Sequence, residues 1–299
     1  MRKLLLHLDS SPYASVFDRI VAFDGGADEV MSYGGVTEEA VRDLVHGAIF
    51  TRGPKDLHST AIFIGGADMP TGQRLLSAVE ATFLGPLRVS VMLDSNGSNT
   101  TAVAAVAKLA QTVGDVHGRR VVIIAGTGPV GTRAAGLLAR AGADVTITSR
   151  HAEEAERVAG QIRDRFGGTV HAVVVADPTQ VGSALGDAEV VLNAGPAGVR
   201  LVPLDAWRGR RRIRAIADLN AVPPLGIEGI EVTDAGVDRE GAKTFGALGV
   251  GNFKMKIHKR CIAKLFERND LVLDAETIGE VARELVQPTP APPPVPPPV

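Results

Sequence analysis

The residues with the clearest chemical potential stand six in a row, Gly126-Thr127-Gly128-Pro129-Val130-Gly131. Glycines at the first, third and sixth places let a backbone turn tightly, approach a pyrophosphate and pack a helix on a strand. The apolar run Val121–Ala125 precedes the motif and a helical pattern, Arg133–Ala141, follows it, which is the setting such a loop requires. A helix starting there turns unpaired N–H groups and its positive dipole end towards phosphate. The plainer alternative is a glycine-rich turn that binds nothing.

Cofactor choice is read from the next strand, Asp144-Val145-Thr146-Ile147-Thr148-Ser149-Arg150-His151. A site for NAD presents a carboxylate about 20 residues beyond the loop, to accept from the adenine ribose. No carboxylate ends this strand. Thr148 and Ser149 offer hydroxyls and Arg150 offers a guanidinium for a 2′-phosphate, so NADP is expected over NAD. The alternative for Arg150 is a solvated strand-end charge. Two further loops, Asn193-Ala194-Gly195-Pro196-Ala197-Gly198 and Asp218-Leu219-Asn220-Ala221-Val222-Pro223-Pro224, follow apolar runs. Ligands bind outside the carboxyl ends of strands in open α/β sheets, so Ala194, Gly195 and Asn220 are expected to line the nicotinamide half.

The elements that must position these loops are strands alternating with helices. Apolar runs at Leu4–Leu8, Ala61–Ile64 and Val89–Leu93 read as strands in the first part. Helical spacing links Val41, Leu44, Val45, Ala48 and Ile49, and also Leu75, Leu76, Val79 and Phe83. Ser98 or Asn99 is placed to cap the alanine-rich helix that follows. The second part repeats the theme at Val121–Ala125, Val145–Thr148, Ala172–Val175, Val190–Leu192 and Ala215–Ala217, with Phe245–Val250 as a further glycine-rich strand. Two helices close the pattern, one marked by Ile262, Leu265 and Phe266, the other by Ile278, Val281, Ala282 and Leu285. Such alternation predicts a mostly parallel α/β fold.

Composition limits the partners. The net charge of −2 supplies no basic field, so no nucleic acid is expected. The single cysteine, Cys261, excludes an internal disulfide, and the seven histidines show no ligand spacing, so no metal is expected. The apolar run at Leu4 stops too early for a signal peptide, and no stretch is long enough for a bilayer, which gives a cytoplasmic location and no membrane. Eight of the thirteen residues 287–299 are proline, which reads as an extended, disordered tail, with a docking peptide as the alternative.

Several longer segments carry a resemblance. Phe23-Asp24-Gly25-Gly26-Ala27-Asp28, Thr51-Arg52-Gly53 and Ser59-Thr60-Ala61-Ile62-Phe63-Ile64-Gly65-Gly66 are three of them. The others are Met92-Leu93-Asp94-Ser95-Asn96-Gly97-Ser98-Asn99-Thr100-Thr101-Ala102, the phosphate loop, Asn220–Ile227 and Phe245–Gly251. On these the chain resembles the methylenetetrahydromethanopterin dehydrogenases of methylotrophic bacteria, above all the NADP-dependent type, over everything but the tail. The resemblance implies an N-terminal α/β substrate domain and a C-terminal Rossmann-like NADP domain with a cleft between them. The expected bounds are 1–112, completed by helices in 255–286, and 113–254. It also implies hydride transfer from methylene-tetrahydromethanopterin to NADP, tetrahydrofolate as an alternative carrier, and a homo-oligomer, a trimer in this family. A non-catalytic NADP-binding sensor or interaction module is the reading from another class.

Such chemistry needs no acid or base. The reacting carbon lies between two nitrogens whose lone pairs delocalise the cation left by the hydride, so positioning suffices. Candidate substrate-positioning residues are Asp94, Ser95 and Asn96, between a strand end and a helix start, with Asp24 and Asp28, in a glycine-rich turn, as weaker candidates. Lys254 and Lys256 alternate with Phe253 and Met255, giving one basic edge from which Lys256 reaches substrate; Lys55 is a third cation, and His258 is read as packed. Folate-type dehydrogenase/cyclohydrolases carry Tyr and Lys four positions apart. Here Tyr13 and Tyr33 are followed at that spacing by Phe17 and Thr37, which argues against cyclohydrolase activity.

Overall fold

Two parallel sheets, each with helices on both faces, form the computed structural model, which describes residues 1–286. The proline-rich segment 287–299 lies outside the described residues. In the first sheet the chain alternates β1 (Leu4–Asp9), α1 (Val16–Asp24), β2 (Glu29–Tyr33), α2 (Glu38–Ile49), β3 (Thr60–Gly65), α3 (Met69–Thr82) and β4 (Ser90–Leu93). Helix α4 (Ser98–Val113) then crosses to the second sheet. There follow β5 (Arg120–Ile124), α5 (Pro129–Arg140), β6 (Asp144–Ser149), α6 (Ala152–Phe166), β7 (Thr169–Val174), α7 (Val181–Leu185) and β8 (Val190–Asn193). After α8 (Leu204–Trp207) come β9 (Ala215–Asp218), β10 (Ala235–Arg239) and β11 (Ala242–Phe245). Helix α9 (Ala247–Leu265) returns to the first sheet, where β12 (Val272–Leu273) and α10 (Ala275–Val286) end the described chain.

The strand orders are β12-β4-β3-β1-β2 and β10-β11-β9-β8-β5-β6-β7, parallel throughout except that β10 is antiparallel to β11. Each sheet therefore reverses direction once, between β1 and β3 in the first and between β5 and β8 in the second. At such a reversal the loops leave to opposite faces and open a crevice at the strands' carboxyl ends. One apolar core joins the inner faces of both sheets through α4, α5, α9 and α10, with Ala104, Ala134, Ile257 and Val281 among its members. Smaller cores lie on the outer faces, under α2 and α3 and under α7 and α8.

Several expectations need correction. The sequence reading passes over helix α1 and strand β2. In α1 only Val21 and Ala22 are buried, while Val16, Phe17, Ile20 and Phe23 are exposed. Strand β2 is an edge strand whose pattern is mostly polar. The cap of α4 is Gly97, and Ser98 and Asn99 lie inside the helix. The expected strand at Phe245–Val250 is the end of β11 followed by the first turn of α9. Its glycines serve a close approach: a Cβ on Gly246 would stand 2.1 Å from the Glu231 carbonyl oxygen, and one on Gly249 would stand 1.8 Å from that of Asp234. Helix α9 also runs unbroken through residues 254 and 255, where the sequence placed a boundary.

Two alanine substitutions in α9 are expected to act with opposite sign. Gly249→Ala drives a methyl into backbone and should lower stability by about 2–4 kcal/mol, in the range of severe overpacking. Gly251→Ala meets open space and should raise it by about 0.5–1 kcal/mol through helix propensity. Urea unfolding of both variants checks the pair.

Candidate functional site

The phosphate loop is held by the strand beside it. Ala125 lies in the left-handed region at φ 53°, so the tight turn falls on an alanine one residue ahead of the expected glycine. Its N–H donates to the Thr148 Oγ1 at 3.0 Å, and the Gly126 N–H donates to the Thr148 carbonyl at 2.9 Å. Thr148 is buried, so its hydroxyl serves the loop and is not offered to a ribose as the sequence reading had it. A Cβ on Gly126 would stand 2.7 Å from the Ile147 Cβ, and one on Gly131 would stand 2.7 Å from the Gly126 Cα. Both glycines are packing requirements. Gly128 differs: its Cβ would meet nothing nearer than the Ala125 carbonyl at 3.9 Å, which leaves room for a ligand. Pro129 starts α5, no side chain caps that helix, and Thr127 and Val130 flank its opening half-buried. The first N–H groups thus stay available to an anion.

At the end of β6, Ser149 is half-buried and Arg150 is exposed, with no ion-pair partner among the described residues. The loops after β8 and β9 are tied together. Ala194 donates its N–H to the Ile124 carbonyl at 3.0 Å, and Gly195 donates to Asn193 Oδ1 at 3.2 Å. Asn193 Nδ2 donates to Asp218 Oδ1 at 2.8 Å, and Asp218 Oδ2 accepts from the Ile227 N–H at 2.8 Å. The Asn220 side chain accepts from Gly198 and Val222 N–H groups and donates to the Pro224 carbonyl. Asn220 therefore shapes the loop, in which Ala194 and Gly195 are partly exposed.

The first sheet carries the other half. A cavity of about 370 Å³ opens at the carboxyl ends of β1, β3 and β4, lined by Asp9, Ser15, Asp18, Gly66, Asn96 and Lys254 among others. Asp9 accepts from the Ser11 N–H at 2.8 Å and from the Ser15 N–H at 2.9 Å. Behind it, His7 is buried with its Nε2 3.5 Å from Asp9 Oδ2, and burial lowers its pKa. Lys254, only 9% exposed, reaches from α9 with its Nζ 3.4 Å from His258 Nδ1 and 4.6 Å from the centre of the Phe17 ring. Burial, with the Lys254 charge next, pushes His258 down to about 3. A neutral imidazole accepts the ammonium proton at Nδ1 and keeps its own on Nε2.

Of the expected substrate residues, the structure brings only some to this cavity. Asn96 lines it, in a left-handed turn at φ 55°. Ser95 is buried and donates to the Gly65 carbonyl at 2.8 Å. Asp94 is 0% exposed: it accepts from the Thr100 N–H at 2.9 Å and the Thr100 hydroxyl at 2.6 Å, so it holds the start of α4 and touches no cleft. Asp24 and Asp28 stand at the amino edge of the sheet, Asp24 paired with Lys259 at 2.7 Å and Asp28 with the Lys3 N–H at 2.7 Å. Lys55 precedes β3 on that same wrong edge. Lys256 lies on the exposed side of α9, because a helix turns residues two apart about 200° from each other. Lys254 takes the place assigned to it. Three groups that the sequence reading passed over, His7, Asp9 and Asp18, have ligand atoms within 4.8 Å of one another. Both Asp9 oxygens already accept backbone N–H groups and an ammonium stands nearby, so the set suits hydrogen bonding better than a divalent cation.

Beside the shared apolar core, one buried polar side chain ties the two halves together. Asn99 donates from Nδ2 to the Leu93 carbonyl at 2.6 Å and accepts at Oδ1 from Arg133 Nε at 2.9 Å, joining the end of β4 to the first turns of α5. Burial lowers Arg133 to about 10, which leaves it charged. Paired crevices of this kind, one with a phosphate loop, define a two-domain α/β protein of the dinucleotide-binding class. Residues 16–96 match the family model described as methylene-tetrahydromethanopterin dehydrogenase, N-terminal, and residues 119–165 match one described as FAD binding domain. The latter spans β5, the glycine turn, α5, β6 and most of α6, the opening unit that dinucleotide folds share. The bifunctional protein MdtA of Methylorubrum extorquens is 48% identical over 285 residues, covering 95% of this chain and 99% of that protein. The NAD(P)-dependent methylenetetrahydromethanopterin dehydrogenase of the same organism is 34% identical over 295 residues, with the same coverage of 95% and 99%. This chain belongs to the methylenetetrahydromethanopterin dehydrogenase family. A solved shikimate 5-dehydrogenase from Listeria monocytogenes, 15% identical with a TM-score of 0.56 over 94% of this chain and 96% of that one, shares the fold. No helix among the described residues is long and apolar enough to cross a membrane.

Burial raises the Asp94 carboxyl from 3.8 to about 6, against the Lys254 charge and the Thr100 hydrogen bonds. Its proton is held more tightly folded than unfolded, so its stabilising contribution is full below pH 4 and is lost as pH rises through 6. The loss is about 3 kcal/mol at neutral pH. Thermal melts of Asp94→Asn should show a Tm advantage over the parent that grows from pH 4 to 7; a constant difference would contradict this assignment.

Proposed function

We propose that this enzyme moves a hydride from methylene-tetrahydromethanopterin to NADP, giving methenyl-tetrahydromethanopterin and NADPH. The observation that carries the reading is the joining of two strand-end crevices by Asn99, one with an open phosphate cradle and one with a polar, lysine-bearing cavity. The cradle fits the cofactor: Gly128 leaves space, the start of α5 is uncapped, and Arg150 is free to meet a 2′-phosphate. Ser149, Thr127, Pro129, Val130 and the backbone of Ala194 and Gly195 complete its contacts in this proposal, with Asn220 holding the loops in place. NADP, when bound, supplies the nicotinamide carbon that accepts the hydride.

The residues of the chain have a positioning task. No proton leaves in this reaction, so the carboxylates and the ammonium that line the cavity have no acid–base step to perform. Lys254 orients a substrate oxygen from one side, and Asn96 meets the substrate from the turn after β4. Being fully buried, His258 acts as the support that fixes the Lys254 rotamer. Assembly and setting belong to the same proposal: a homo-oligomer, a trimer, working in the cytoplasm.

Purified protein given NADP and methylene-tetrahydromethanopterin should produce absorbance at the NADPH band, with methylene-tetrahydrofolate as the parallel arm. Tight NADP binding with neither carrier turned over would favour a non-catalytic sensor and sink the proposal. Arg150→Ala should weaken NADP by about 1.5–3 kcal/mol, the scale of a hydrogen bond to a charged group, and leave NAD nearly unchanged. Equal weakening of both nucleotides would remove Arg150 from the 2′-phosphate site.

A further inference from the structure

Three carboxylates stand at the carboxyl edge of the first sheet, and two of them are already occupied. Asp9 accepts one backbone N–H on each oxygen, and Asp94 accepts the N–H and hydroxyl of Thr100. Asp18 is different. It lines the cavity, half-buried, and among the described residues no backbone N–H reaches its carboxyl group. Its own N–H donates to the Ser15 Oγ at 3.1 Å, which fixes the first turn of α1. That turn also puts the carboxylate at the positive end of a helix. His7 and Asp9 of β1 and Lys254 of α9 surround it.

A carboxylate that has the Ser15 hydroxyl as its hydrogen-bond partner and no backbone N–H, in a partly desolvated wall, keeps acceptor capacity on its oxygens for a ligand with two parallel N–H donors. An ammonium beside it calls for an acceptor on the same ligand. We propose that Asp18 and Lys254 together read the 2-amino-4-oxopyrimidine edge of the substrate's pterin ring. The ring N3–H and the exocyclic amino group donate to the two oxygens of Asp18, and the neighbouring ring carbonyl accepts from Lys254 Nζ. Bidentate pairing of this kind fixes orientation as well as affinity. It turns the far end of the ring system, which carries the one-carbon unit, towards the crevice at α5. The inference rests on the proposed pterin substrate and names the residue that would recognise it. Both carriers share this edge, so Asp18 governs how firmly either is held and does not choose between them.

The test is the full-length Asp18→Asn protein, assayed with each carrier at saturating NADP. The amide keeps the size and loses one acceptor, so KM for both carriers should rise about 10- to 100-fold, the range for a hydrogen bond to a charged group. KM for NADP should stay within about twofold, since a positioning role ends at the substrate ring. Unchanged carrier KM values, or a matching rise for NADP, would overturn the assignment. A second measurement needs no variant: calorimetric titration of the wild-type chain with tetrahydropterin and with its 2-desamino analogue. Tetrahydropterin should bind about tenfold more tightly or better. Equal affinities would refute the role of Asp18 even if the enzyme turns over both carriers. Failure of turnover with a retained tenfold preference would instead count against the proposed reaction and leave the inference standing.

Discussion

The start of α4 is the point on which both halves of the site depend. It lies where β4 ends, passes between α5, α9 and α10, and buries residues on nearly every side. Small side chains such as Ala102, Ala104 and Ala105 permit that approach, as close packing of helices demands. Polar groups caught there must be satisfied internally. Asp94 takes the Thr100 donors, Ser98 donates to the Ser95 carbonyl, and Asn99 binds both Leu93 and Arg133. A residue that reads as a helix cap is thereby the joint between the substrate crevice and the nucleotide crevice.

Charge in the substrate half is arranged by burial. His258 stays neutral and so accepts from Lys254, which leaves the ammonium aimed along the cavity wall. The Asp94 carboxyl, pushed up to about 6, balances part of that charge from behind the wall. A reaction that creates a cation on the substrate tolerates a nearby ammonium when it contacts the ring carbonyl at some remove from the reacting carbon. The site works by placement, with the cofactor's chemistry doing the rest.

Contiguity decided what could be read from the sequence. The phosphate loop, its strand and its helix are neighbours in the chain, and their types carry their roles. The runs of β5 to β9 were legible for the same reason, since buried parallel strands are short apolar stretches, whereas the polar β10 was not read. The substrate cavity was not. It collects Asp9, Asp18, Asn96 and Lys254, which only the folded chain brings together. Helix α1 was passed over although Val16 and Ile20, and Phe17 and Val21, stand four apart, and the start of α9 read as a strand because its glycines answer to a neighbouring backbone. That misread element also exchanged Lys254 for Lys256: on a strand they share an edge, on a helix they do not.

Direct transfer of one hydrogen between the two crevices is the central claim, and isotope tracing measures it. Methylene-tetrahydromethanopterin carrying two deuterium atoms on the methylene carbon is incubated with the enzyme and NADP, and the nucleotide is recovered for mass spectrometry. The account predicts reduced nucleotide with a single deuterium on the nicotinamide ring and one left on the methenyl carbon. Reduced nucleotide free of deuterium would contradict it, because the hydrogen would then have come through solvent.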